Sequence, residues 1–235
     1  MKVEIWSDVM CPFCYIGKRK FEDALSRFPD KDKVEVVWKS FQLDPSIKTN
    51  LSLSLTEHLA ASKGWSIEQT RQIQSQVVNM AAEVGLNFDF DRAVVANSFD
   101  AHRFIQLAKT QGLGDAAEEE LFRAYFSEGK NTADHETLVQ IGIKIGLVEH
   151  EIRQVLESDA FASEVQQDIY EARQIGLRGV PHFVFNDRYS VSGAQHPDTF
   201  LGALNKAFAE WKQTHTPTDH SADSGASCSV DGVCE

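Results

Sequence analysis

Cys11 and Cys14 stand two residues apart near the start of a 235-residue chain, with Pro12 and Phe13 between them. Thiols at this spacing can cycle between dithiol and disulfide. They can also supply half of a zinc site, or pack as buried cysteines. Redox work needs a thiolate, because the thiolate is the nucleophile in disulfide exchange. A helix N-terminus favours that anion through its outward N–H groups and its dipole. The second thiol must then lie one turn along, where it can attack a mixed disulfide. Pro12 suits a first helical turn, where its missing N–H costs nothing. Pro12 and Phe13 also tune the stability of the thiolate, and with it the reduction potential.

The flanking pattern supplies such a helix. Residues 2–6 form a short apolar run with Val3 and Ile5 in phase, read as a strand. After a loop at 7–10, Ile16, Phe21, Leu25 and Phe28 recur at helical spacing until Pro29-Asp30. Val34, Val36 and Trp38 alternate with polar residues as a second strand. Strand, CxxC, helix, strand is a βαβ unit with the cysteines at the helix N-terminus. This context favours redox chemistry over zinc, which would need two more ligands nearby.

From about 52 to 158 the pattern is helical almost throughout. Ser66 starts one helix that Gly85 ends, and Asn97 or Ser98 caps another carrying Ala101, Phe104 and Ile105. Residues 115–126 form a third, and Asp134 to Gly146 bounds a fourth. Residues 161–175 are helical again. Phe183-Val184-Phe185 and Tyr189-Ser190-Val191 read as a hairpin about Asn186-Asp187. A last amphipathic helix spans 197–211. From 213 onward the composition turns polar, which predicts a flexible tail carrying Cys228 and Cys234.

Four segments together resemble the FrnE-like branch of the DsbA family. They are Ser7 through Gly17, Phe41-Gln42-Leu43-Asp44-Pro45, Asn97-Ser98-Phe99-Asp100-Ala101-His102-Arg103, and Gly179-Val180-Pro181. The resemblance implies an α/β thioredoxin fold with a large all-helical insertion after the second strand. The corresponding division is a core over 1–48 and 160–212, an inserted helical domain over 49–159, and the tail over 213–235. It implies thiol-disulfide oxidoreductase or isomerase activity on protein disulfides, with Cys11 as nucleophile and Cys14 as resolving thiol. It also implies a cis-proline at Pro181 facing the CxxC, against the plainer reading of a trans proline opening a strand. Pro12, Phe13, Val180, Pro181 and His182 are the expected substrate contacts.

Related glutathione-dependent proteins, such as 2-hydroxychromene-2-carboxylate isomerase, share this architecture but carry serine in place of the first cysteine. A glutathione-dependent small-molecule isomerase or transferase is therefore the alternative function, and a chaperone-like or zinc-buffering role for the tail is a third. No tightly bound cofactor is expected, and glutathione is a candidate redox partner. Cys228 and Cys234, five residues apart where the family motif has four, are either an accessory redox pair or an accessory, metal-scavenging tail. His215 and His220 could join them around zinc, but no metal site is assigned.

The net charge of −12 argues against nucleic acid and anionic membrane as partners. A charged N-terminus without an apolar signal region predicts the cytoplasm. His102 and Arg103 are either substrate contacts or a packed pair. Glu118-Glu119-Glu120 reads as a solvated helix face.

Overall fold

The computed structural model describes residues 1–215. Strand β1 (Lys2–Ser7) runs into helix α1 (Pro12–Ser26) and returns as β2 (Glu35–Ser40). β1 and β2 pair in parallel, with Ile5 beside Trp38, so the βαβ unit forms as its sequence pattern requires. After the insertion, β5 (His182–Phe185) pairs antiparallel to β1, and β6 (Tyr189–Ser192) pairs antiparallel to β5. The sheet order is β2-β1-β5-β6. The hairpin turns on Asn186 (φ 52°) and Asp187 (φ 54°), the two positive angles that a tight two-residue turn demands.

The insertion begins with β3 (Asn50–Ser54), α2 (Leu55–Lys63) and α3 (Ile67–Ala82). β4 (Val94–Val95), α4 (Phe99–Thr110), α5 (Gly114–Phe126), α6 (His135–Ile145) and α7 (Glu149–Leu156) follow. α8 (Ala162–Gln174) leads back to the sheet, and α9 (Pro197–His215) closes the described chain. The insertion is thus helical except for one ribbon, in which β3 pairs antiparallel with β4. The alternation Leu51, Leu53, Leu55 is too short to stand out against the helical pattern around it.

Helix starts follow local chemistry. Ser54 with Glu57 and Ser66 with Gln69 form capping boxes, and Asp134 accepts from the Thr137 N–H. Ser98 occupies the cap position of α4 but makes no side-chain cap. Its neighbour Asn97 instead accepts from the Phe99 N–H at 2.8 Å. α9 continues to His215, past residue 212.

Three apolar clusters result. On one face of the sheet, Val3, Ile5, Phe183 and Phe185 pack against Phe21 and Phe28 of α1 and against Phe200, Leu204 and Phe208 of α9. Inside the insertion, Phe104, Leu121, Leu138 and Ile152 form a second core that also takes in Val9 of the redox loop. The third joins the two halves: Cys11, Cys14, Tyr15 and Ile16 of α1 and its cap lie in one cluster with Phe88, Phe122, Tyr125 and Phe126 of the insertion. The Tyr15 ring stacks on Phe122 at 4.9 Å.

A buried polar clamp holds the opposite face. Asp168 of α8 accepts from the Ser40 N–H (2.9 Å), the Gln106 amide (2.6 Å) and Lys39 (2.6 Å). The Trp6 indole donates to the Asp168 carbonyl at 2.9 Å. One carboxylate thereby joins β2, α4 and α8. Removing it strands several buried donors. Asp168→Ala is expected to lower the free energy of unfolding by about 3 kcal/mol, measured by urea titration.

Candidate active site

Cys11 is the N-cap of α1, in extended conformation (φ −95°, ψ 110°), and Pro12 follows in the first turn. The Cys11 N–H donates to the Asp8 carbonyl at 2.9 Å, and the Cys14 N–H donates to the Cys11 carbonyl at 3.0 Å. Both cysteines are free thiols and both are buried. The Val180–Pro181 bond is cis, and the Val180 carbonyl lies 3.5 Å from Cys11 Sγ. Two segments 169 residues apart thus meet at one sulfur.

The two thiols sit in unequal surroundings. Burial pushes the Cys14 thiol well above its ordinary pKa, and the neighbouring Cys11 sulfur pushes it further. The Asp8 backbone and the Ser7 side chain oppose this less strongly. Cys14 therefore keeps its proton.

Gly17, one turn after Cys14, makes the close approach of the Pro181 loop possible. A Cβ there would stand 2.9 Å from Pro181 Cγ and 3.5 Å from the Phe183 ring. Pro181 packs on α1 because this position carries no side chain.

Asp8 organises the loop before Cys11. One carboxylate oxygen accepts from the Met10 N–H (3.3 Å), and the other accepts from the Leu43 N–H (2.8 Å). His102, wholly buried on α4, places Nε2 3.5 Å from Asp8 Oδ1. Arg103 points elsewhere and donates to the carbonyls of Val155, Ser158 and Ala160 and to Asp100. It fastens the segment after α7.

The remaining expected site residues fall in three places. Phe13 is exposed on the outer face of α1. Val180 packs on the cluster that contains both cysteines. His182 is not brought to the thiols: strand alternation turns it to the α8 side, in a cleft with Trp6, Glu171, Ile175 and Tyr189. There His182 Nδ1 lies 2.8 Å from Ser192 Oγ, and burial lowers its pKa. Cys228 and Cys234 lie outside the described residues, as does His220.

The acidic triplet of α5 is not a solvated face. Glu118 is buried, Glu119 bonds Tyr15 and Arg19, and Glu120 pairs with Arg123 and Lys144. The signal was present in the spacing, because Glu118 falls in phase with Ala117, Leu121, Phe122 and Tyr125. Burial raises the Glu118 pKa to about 8, with the negative charges of Asp115 and Asp8 adding to it against Lys18 and Lys109.

Fold and site define a thioredoxin-type protein with a buried cysteine pair at a helix N-terminus beside a cis-proline loop. The chain belongs to the family described as the DSBA-like thioredoxin domain, whose model matches residues 2–205. It is therefore a member of a thioredoxin-fold oxidoreductase family. A probable DsbA oxidoreductase from Streptomyces coelicolor is 38% identical, with a TM-score of 0.85 over 99% of this chain and 100% of that one. The uncharacterised protein YwbO of Bacillus subtilis is 27% identical over 205 residues, or 86% of this chain and 95% of its own. The cytosolic disulfide reductase DsbM of Pseudomonas aeruginosa, solved with glutathione, shares the fold at 17% identity. Its TM-score is 0.61, over 91% of this chain and 98% of that one.

Two outcomes follow from this geometry. Gly17→Ala forces a methyl against Pro181, an overpacking that costs about 1–3 kcal/mol. It is expected to lower the melting temperature and the rate of Cys11 alkylation together. Glu118 keeps a proton in the folded chain that the unfolded chain releases near pH 4.5. Stability therefore falls as pH rises from there through about 8. Glu118→Gln is expected to match wild type near pH 4 and to melt several degrees higher at pH 9, measured by calorimetry across that range.

Proposed function

We propose that Cys11 and Cys14 form a redox-active dithiol that exchanges with protein disulfides. The observation that carries this reading is the asymmetry of the pair. Cys11 sits at the helix N-terminus against the Val180 carbonyl, while burial keeps Cys14 protonated.

The Cys11 thiolate attacks one sulfur of a substrate disulfide. That S–S bond breaks, a Cys11–substrate disulfide forms, and the departing substrate thiolate takes a proton. Cys14 then gives up its proton and attacks Cys11 Sγ. The mixed disulfide breaks, the second substrate thiol leaves, and Cys11 and Cys14 are joined. Two electrons pass from the enzyme dithiol to the substrate, and the reverse sequence oxidises a substrate dithiol. If a substrate thiol resolves the mixed disulfide instead, the net result is isomerisation.

Pro12 and Phe13 shape the approach to the sulfur, and the backbone at Val180-Pro181 receives the substrate chain. His182, turned to the α8 side with Ser192, takes no part in the exchange. Glutathione is the proposed partner that resets the pair, in keeping with the glutathione-bound DsbM structure of the same fold. The cytosolic description of DsbM fits a cytoplasmic placement.

Cys14→Ser removes the resolving thiol and is expected to trap mixed disulfides through Cys11 with an oxidised protein such as insulin. Cys11→Ser is expected to trap none and to lose insulin reduction entirely. Mass spectrometry of the tryptic peptide spanning 3–18 reads both. Absence of any trapped species, together with a wild type that leaves insulin oxidised, sinks the reading. Turnover of a glutathione conjugate that survives Cys14→Ser would point to the small-molecule alternative.

A further inference from the structure

Asp8 ties the redox loop both to the cysteines and to the segment after β2. Its carbonyl accepts from the Cys11 N–H, and its carboxylate holds the Met10 N–H, one residue before Cys11. The same carboxylate ties the loop after β2 through Leu43. Its backbone lies against the Cys14 sulfur. A buried carboxylate on the loop that presents the cysteines disfavours further negative charge around it unless something faces it.

What faces it is His102. The imidazole is fully buried and neither ring nitrogen has a hydrogen-bond partner, yet Nε2 lies 3.5 Å from Asp8 Oδ1. A buried imidazole left without hydrogen bonds is costly as packing alone. Glu118 and Tyr125 of α5 also feel Asp8, and its charge works against ionisation of both. Among the described residues on this side, His102 is the basic side chain placed against the Asp8 carboxylate. It comes from the insertion, 94 residues along the chain from Asp8.

We infer that His102 is a positioning residue for the redox centre: set against Asp8, it offsets that carboxylate and thereby lets the inserted helices set the thiolate stability, and so the redox poise, of Cys11–Cys14. His102 does not touch the substrate. It acts through Asp8, and Asp8 acts through the backbone that presents both sulfurs. The inference rests on the redox reading above.

The test uses the full-length chain equilibrated with glutathione buffers of stepped ratio. The measured exchange is protein dithiol plus oxidised glutathione giving protein disulfide plus two reduced glutathiones. Alkylation and mass spectrometry of the 3–18 peptide report the Cys11–Cys14 pair separately from the tail cysteines. His102→Leu leaves the Asp8 charge unopposed, destabilises the Cys11 thiolate and so favours the disulfide. The exchange constant is expected to rise about tenfold, which for two electrons is about 30 mV toward a more reducing pair. In an Asp8→Asn background the same change is expected to move it by less than about twofold. Asp8→Asn alone is expected to shift the constant in the opposite sense, and it carries the test should the leucine variant fail to fold. A constant unmoved by His102→Leu while the melting temperature falls, or an equal shift with and without Asp8, overturns the inference and leaves the redox reading standing. An unmoved constant in Asp8→Asn does the same. A wild-type pair that never oxidises at any ratio overturns both.

Discussion

The first turn of α1 is enclosed from two directions, and that enclosure governs the rest of the molecule. From the sheet side comes the Val180–Pro181 loop, seated on Gly17. From the insertion comes an aromatic wall of Phe88, Phe122, Tyr125 and Phe126, of which Phe88 and Phe122 stack on Tyr15. Water is displaced from both sulfurs, and the low local dielectric makes each nearby charge and dipole count for more. Burial holds the proton on Cys14, and Cys11 occupies the helix cap.

The inserted helices are therefore part of the centre, in addition to any role in covering the sheet. Tyr15 and Arg19 of α1 bond Glu119 of α5, and the buried Lys18 pairs with Glu22, Asp115 and Glu119. Trp38 of β2 donates to Asp115 at 3.0 Å, tying the same helix to the sheet. On the far face, Asp168 fastens α4 and α8 to β2. Core and insertion share polar clamps on both sides of the sheet. A carboxylate such as Glu118 tolerates burial here because its raised pKa lets it stay neutral.

Much of the fold was legible along the chain. The CxxC at its helix start, the Asn186-Asp187 hairpin and most helix caps are written in residues within four positions of one another, and the βαβ opening in successive local periodicities. The ribbon of β3 and β4 was hidden because two short strands 40 residues apart carry too little alternation to be seen in helical surroundings. The burial of Glu118 was encoded in its phase, but three successive acidic residues obscured it. His182 read as a substrate contact because it follows Pro181 directly, yet a single strand step turns it to the α8 side.

The sequence by itself determined which two sulfurs stand at a helix N-terminus, because that depends on a strand, a loop and a helix in unbroken succession. Only the tertiary structure decided what surrounds them. Leu43, Gly17, His102 and Val180 reach Asp8, Pro181 and Cys11 across separations that no local pattern spans. Position at a cap follows from backbone geometry within one turn. Desolvation and charge pairing follow from which distant side chains close over that turn, and those set which thiol keeps its proton.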